Sequence, residues 1–158
     1  MKKAVIAGSF DPPTLGHENM IQRAAALCDK LYVAVTVNNS KNCMFSLEQR
    51  YEMIREICKK TENAEAVMFD GLLAKYVSEN EIDCIFRGLR NRTDFDYELE
   101  LSQIYASYPD MPCETVYLMT DPKFSFISST VVRENFKLDA DISNLVSREV
   151  RDLMIGYR

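Results

Sequence analysis

Apolar runs and helical patterns alternate along this chain from one end to the other, and their order predicts an architecture before any motif is considered. Ala4-Val5-Ile6-Ala7 reads as a first buried strand. A helical pattern follows from near Glu18, with Met20, Ile21, Ala24, Ala25, Leu27 and Cys28 recurring at three- and four-residue spacing. Residues 31–37 are β-branched and apolar on both faces, which predicts a second, fully buried strand. After a polar loop over residues 38–42, Ser46 stands three positions before Gln49 in the form of a capping box. Tyr51, Ile54, Ile57 and Cys58 supply the apolar stripe of the helix it opens. Residues 64–69 read as a third strand, Asp70-Gly71 as a turn and 72–79 as a short helix. Residues 82–86 are a fourth strand, with a helix over 94–107 beyond it, and 115–119 are a fifth. A loop over 120–127, a short helix from Ser128 or Ser129 and a terminal helix over 142–155 complete the chain.

Five strands each followed by a helix predict an α/β fold with a five-stranded parallel sheet and helices on both faces. No repeat, low-complexity tract or linker interrupts the pattern, so residues 1–158 are expected to form a single domain. Ligands of such sheets bind outside the carboxyl ends of the strands. The segments leaving those ends are 8–17, 38–42, 70–73, 87–92 and 120–133, and these hold the unusual residues of the chain.

Composition narrows the partners. At 158 residues, with 47% hydrophobic and 27% charged positions, the chain is long enough to bury a core without disulfides or metals. Its formal net charge of -5 argues against a general nucleic-acid or anionic-membrane surface, so an anionic ligand must be met by a local island of cations. The five cysteines are odd in number and contain no C-x-x-C pair, which suggests neither a disulfide framework nor a zinc site and fits a reducing cytoplasm. Met1-Lys2-Lys3 resembles the start of a signal peptide, but the apolar run breaks after Ala7, and no later run approaches membrane-spanning length.

The candidate chemistry lies in those strand-end segments. Gly8-Ser9-Phe10-Asp11-Pro12-Pro13-Thr14-Leu15-Gly16-His17 runs from a buried strand into a helix start, where unpaired backbone N–H groups suit an anion, and it holds the only histidine. Arg87 and Arg90, with Arg92 beyond, follow the fourth strand; three such arginines are commonly a solvated cluster, but at a strand end their forks suit bidentate phosphate contacts. Lys41 alone is an ordinary surface lysine, and opposite a phosphate it becomes a mobile point charge. Ser128, Ser129 and Thr130 place hydroxyls at a helix start, with Arg133 in its second turn. The chain has no P-loop, no G-x-G-x-x-G and no G-x-S-x-G. A cationic, hydroxyl-rich set without an activated nucleophile suits a reaction whose nucleophile arrives ionised, as a phosphate monoester does.

Together these motifs resemble those of the nucleotidylyltransferase superfamily, in which Thr14-Leu15-Gly16-His17 matches the T/H-x-G-H signature and Ile127-Ser128-Ser129-Thr130 with Arg133 the second signature. More closely, G-S-F-D-P-x-T-x-G-H, Arg87-Gly88-Leu89-Arg90, Asp94-Phe95-Asp96-Tyr97-Glu98 and the run 124–130 are similar to those of the bacterial phosphopantetheine adenylyltransferases, in order and spacing over nearly the whole chain. The resemblance implies a Rossmann-like dinucleotide-binding architecture and transfer of AMP from ATP to 4'-phosphopantetheine, giving dephospho-coenzyme A and pyrophosphate. It implies Mg2+ bound mainly through the ATP phosphates with no dedicated protein ligands, coenzyme A and dephospho-coenzyme A as product or feedback ligands, and a homohexamer built as a dimer of trimers.

Carried over by motif, His17, Lys41 and Arg90 are the expected catalytic residues. Ser9, Lys41, Leu73 and Arg87 would meet phosphopantetheine. Ser9, Phe10, His17, Gly88, Leu89, Arg90, Glu98, Phe124, Ser128, Ser129 and Thr130 would meet ATP. Tyr105 departs from the family, many of whose members have Asn there near the pantetheine arm, and Phe124 stands where the aromatic residue beside adenine is often Trp. A sister enzyme with another phosphorylated acceptor and a non-catalytic nucleotide sensor are the rival readings of the same fold.

Overall fold

The computed structural model describes residues 2–37, 42–107 and 113–158. Its strands are β1 (Lys3–Gly8), β2 (Lys30–Thr36), β3 (Ala64–Phe69), β4 (Cys84–Leu89) and β5 (Glu114–Met119), and its helices are α1 (Leu15–Ala25), α2 (Leu47–Cys58), α3 (Leu73–Glu79), α4 (Arg92–Ala106), α5 (Ser129–Lys137) and α6 (Arg148–Gly156). The strands form one parallel sheet in the order β3-β2-β1-β4-β5. The chain therefore leaves β1 toward one edge and returns on its other side at β4. That reversal opens a crevice above the carboxyl ends of β1 and β4, where ligands of such sheets bind.

Period-two alternation along the strands decides which helices lie on which face. Ala4 and Ile6 of β1 and Leu31, Val33 and Val35 of β2 pack with Ile21 and Ala24 of α1, Met53, Ile54 and Ile57 of α2, Val132 of α5 and Met154 of α6. The intervening Val5, Ala34 and Ile85 pack with Leu73 and Val77 of α3 and with Tyr105 of α4. Helices thus cover both faces, as the alternation of elements predicts. The fourth helix, α4, buries no residue completely and leaves Phe95, Tyr97, Leu99 and Ile104 exposed.

Several boundaries move, each for an identifiable reason. The first helix starts at Leu15 rather than near Glu18, because Thr14 is its N-cap and His17 occupies the third helical position of a capping box normally filled by Glu or Gln. Ser46 and Gln49 form the predicted capping box of α2, with Ser46 Oγ accepting the Gln49 N–H and Gln49 Oε1 accepting the Ser46 N–H. The fourth strand lies over Cys84–Leu89 instead of 82–86, since pairing with β5 continues to Leu89↔Met119. Arg87 and Gly88 are therefore strand residues, not loop residues. The last helix spans Arg148–Gly156 rather than 142–155; Ile142 and Val146 are buried at helical spacing, but they belong to a turn in which Asp141 Oδ1 accepts the Ser143 N–H at 2.9 Å.

The fully buried Ile54 of α2 gives a direct test of this packing. Ile54→Ala is expected to lower stability by about 2–5 kcal/mol, read as a lower urea midpoint with an unchanged slope. Leu138→Ala, at a position 81% exposed, is expected to shift it by no more than about 0.5 kcal/mol.

Candidate active site

The loop after β1 enters α1 through a reciprocal bond pair. The His17 N–H donates to Thr14 Oγ1 at 3.4 Å, and the Thr14 N–H donates to His17 Nδ1 at 3.0 Å. A ring nitrogen that accepts from a backbone N–H carries no proton, so the imidazole is the Nε2–H tautomer. Burial, and then the neighbouring Arg90 charge, lower its pKa from an ordinary 6.5 to about 4. At neutral pH His17 is thus an uncharged ring with its proton on the nitrogen turned away from Thr14. The ring is held edge-to-face against Phe10, with centroids 5.2 Å apart. Phe10 is itself nearly buried, has a positive φ of 46°, and packs its ring where a Cβ on Gly8 would come within 3.1 Å.

Buried charged groups hold this loop by its main chain. The Asp11 carboxylate, 3% exposed, accepts the N–H groups of Met44 and Phe45 at 2.9 Å each and pairs with Arg133 at 3.4 Å. Arg133 also donates to the Asp11 carbonyl, and Ser129 Oγ donates to the Pro12 carbonyl at 2.8 Å, tying the start of α5 to the loop. From the other side Arg50 of α2 donates to the Ser9 and Thr36 carbonyls. None of these roles was assigned from the sequence. Arg50 had a signal, since it lies four residues before Ile54 and so on the buried stripe of α2.

A cleft of about 950 Å³ opens over the carboxyl ends of the strands. Ser9, Phe10, His17, Leu73, Arg87, Gly88, Arg90, Glu98, Phe124, Ser128, Ser129 and Thr130 all line it, together with Tyr105 and Met20. Leu89 does not: it points into the core, 5% exposed, and its carbonyl accepts the Thr120 N–H at 2.8 Å. Lys41 lies outside the described residues. Met20 was not anticipated; its Sδ lies where a Cβ on Gly88 would come within 2.5 Å, so Gly88 lets α1 close against β4 at the floor of the cleft.

The two arginines are held by carboxylates one turn apart on α4. Arg90 binds Asp94 in bidentate fashion, Nε to Oδ2 at 2.9 Å and Nη2 to Oδ1 at 3.1 Å, and its backbone N–H adds a third bond to Oδ2. Burial pushes the Asp94 carboxyl up, but the Arg90 side chain and N–H outweigh it and hold the group below its usual value. Arg87 Nε lies 3.4 Å from Glu98 Oε2, and its Nη2 donates to the Tyr105 hydroxyl at 3.3 Å. Glu98 is raised, first by burial and then by Asp94, against the pull of Arg87. At the second helix start, Ser128 caps α5 by accepting the Val131 N–H at 3.2 Å. Phe124 sits in a short 3₁₀ turn beside it with Lys123 Nζ 4.7 Å above its ring.

Chemically, the cleft offers an uncharged N–H donor, two fixed guanidinium forks and a hydroxyl-capped helix N-terminus. That set stabilises negative charge on a phosphate without moving a proton. Among the described residues no group of three or more His, Cys, Asp or Glu side chains is placed to hold a metal ion.

The state of His17 has two measurable consequences. Nitrogen-detected NMR at neutral pH is expected to show a neutral ring protonated on Nε2 that titrates near 4. Because the folded ring resists the proton that the unfolded chain takes up, its contribution to stability is complete above about pH 6.5 and is lost as pH falls toward about 4. His17→Asn is expected to flatten that part of the denaturation profile.

Comparison with known proteins identifies the family. A family model described as cytidylyltransferase-like matches residues 5–135. A phosphopantetheine adenylyltransferase from Clostridium botulinum (strain Hall) is 43% identical over 150 residues, covering 95% of this chain and 91% of its own. One from Natranaerobius thermophilus is 42% identical over 159 residues, covering 100% of this chain and 97% of its own. A solved structure described as a nicotinate-nucleotide adenylyltransferase from Vibrio parahaemolyticus superposes with a TM-score of 0.69 over 99% of this chain and 93% of its own; at 19% identity it bears on the fold alone. The chain belongs to the phosphopantetheine adenylyltransferase family, within the cytidylyltransferase-like proteins.

Proposed function

We propose that the protein transfers AMP from ATP to 4'-phosphopantetheine, giving dephospho-coenzyme A and pyrophosphate, the penultimate step of coenzyme A biosynthesis. The observation that carries this reading is the neutral His17, whose Nδ1 is occupied by the Thr14 N–H, so that the ring can donate from Nε2 but cannot act as a base at neutral pH. An acceptor phosphate needs no base, because it is already ionised. One of its oxygens attacks the α-phosphorus of ATP in line, the new P–O bond forms, the bond to the bridging α–β oxygen breaks, and pyrophosphate leaves with that electron pair.

The roles proposed rest on the motifs and, for the described residues, on their position in the cleft; Lys41 is carried over by motif alone. His17 Nε2–H, Arg90 and Lys41 stabilise the charge that builds on the transferring group. Ser9 meets the reacting phosphates, and Phe10 serves through its backbone N–H because its ring is buried. Arg90, Ser128, Ser129 and Thr130 hold the ATP phosphates. Gly88 borders the nucleotide, Phe124 offers its face to adenine, and the Glu98 oxygen less engaged by Arg87 faces the ribose. Arg87 and Leu73 take the phosphopantetheine end, with the Tyr105 hydroxyl on Arg87 steadying that fork.

Mg2+ carried on the triphosphate would offset part of its charge and would be held mainly by phosphate oxygens and water rather than by this chain. Five free cysteines support a reducing cytoplasmic setting, and no helix in the described residues is long and apolar enough to cross a membrane. The exposed apolar side chains of α4 support assembly, for which we propose a homohexamer built as a dimer of trimers. Dephospho-coenzyme A and coenzyme A are the product and feedback ligands on this reading.

A pyrophosphate-release assay tests the proposal. Release is expected with ATP plus 4'-phosphopantetheine and not with ATP alone. Release only with a different phosphorylated acceptor would instead make this a sister enzyme, and tight nucleotide binding without release a sensor. In the same assay His17→Ala is expected to lower kcat about a hundredfold, on the order of 3 kcal/mol of transition-state stabilisation; turnover near the native rate would remove His17 from the mechanism.

A further inference from the structure

We infer that Arg50 is a positioning residue for the reaction, one that turns the Ser9–Phe10 peptide so that the Phe10 N–H faces the phosphates in the cleft. The inference rests on reading the cleft as a nucleotide site. Arg50 lies in the first turn of α2, is 4% exposed, and is bonded to carbonyls rather than to a carboxylate. Its Nη1 donates to Ser9 O at 2.5 Å and to Thr36 O at 3.0 Å, and its Nε donates to Phe45 O at 3.2 Å. Those acceptors belong to three separate segments: the loop after β1, the end of β2 and the turn that opens α2. One planar fork thus joins the segments that border this side of the cleft.

The Ser9 bond has a geometric consequence. The Ser9–Phe10 peptide is trans, and in a trans peptide the carbonyl and the following N–H point in opposite directions. With the Ser9 carbonyl drawn inward under α2, the Phe10 N–H is directed outward, toward the cleft that Ser9 and Phe10 both line. It donates to no atom among the described residues. The peptide is held in this orientation at a residue whose φ of 46° L side chains seldom adopt, so it needs an anchor. Arg50 supplies that anchor, and its guanidinium, bonded to carbonyls and in no salt bridge among the described residues, also brings positive charge behind the cleft floor. Lysine cannot replace it, because a single ammonium nitrogen cannot serve acceptors that Arg50 meets with both Nε and Nη1.

Arg50→Lys, which keeps the charge and loses the fork, is the decisive variant, with Arg50→Gln beside it. With ATP and 4'-phosphopantetheine, Arg50→Lys is expected to lower kcat by about tenfold to a hundredfold, as for a misplaced oxyanion donor, while both KM values stay within about twofold. A native kcat in a folded variant overturns the assignment, and so does a loss that appears equally in both KM values, which marks general distortion. A second measurement does not depend on turnover: in 15N-labelled protein the Phe10 amide proton is expected to move downfield on titration with ATP, and to lose most of that movement in Arg50→Lys. An unmoved Phe10 amide in the native protein, or the same movement in the variant, overturns the assignment even if the native protein transfers AMP. Conversely, a native protein that releases no pyrophosphate refutes the proposed function and leaves the amide titration to decide on Arg50. Loss of the fold in both variants, seen by circular dichroism, makes Arg50 a structural anchor only and also overturns the inference.

Discussion

The site depends on one constraint: the loop from Gly8 to Thr14 has almost no regular structure of its own, and charged side chains, of which Asp11 and Arg50 are buried, hold it in place. Asp11 accepts two backbone N–H groups from the turn before α2, Arg133 reaches it from α5, and Arg50 grips Ser9 from α2. Burying charge is costly unless every partner is in place. Here most of the partners are peptide groups, which the same bonds satisfy in turn, and Asp11 and Arg133 also pair with each other. The loop is thereby fastened to helices that come from distant parts of the chain, and its free N–H groups are left for a ligand.

A second consequence concerns the electrostatics of the cleft. The chain as a whole carries a formal charge of -5, yet Arg87, Arg90 and Arg133 all line the crevice, with His17 beside them. The arginines do not stand free. Asp94 and Glu98, one turn apart on α4, hold them in defined orientations, which lowers the entropy lost when a phosphate meets the forks. His17 contributes a donor without a charge, because burial beside Arg90 makes a second cation unfavourable there. A cleft built in this way stabilises developing charge by prearranged dipoles and forks and requires little movement.

Much of this was legible residue by residue. The alternation of apolar runs and helical patterns identified the five strands and six α-helices of the described residues, though not the 3₁₀ turn at Pro122–Phe124, and the Ser46–Gln49 capping box is present as read. Of the described residues proposed for the site, all but Leu89 line the cleft. The misses share a cause, which is that local patterns do not report partners. Leu89 sits in a motif of site residues but is buried where β4 extends to pair with Met119 of β5. His17 stands where a capping box usually has Glu or Gln, so α1 looked shorter than it is. Ile142 and Val146 keep helical spacing in a turn, because burial selects apolar residues there whether or not the backbone is helical.

By itself, then, the sequence determined the α/β architecture, the strand ends that carry chemistry and the kinds of group gathered there, because those follow from short-range periodicity and from motifs within one segment. Only the tertiary structure decided the strand order, the pairing of Arg87 with Glu98 and Tyr105, the tautomer and charge of His17, and the grip of Arg50 on Ser9. Each of these depends on groups far apart in the chain, and on burial, which sets the strength of a charge and exists only once the chain has folded.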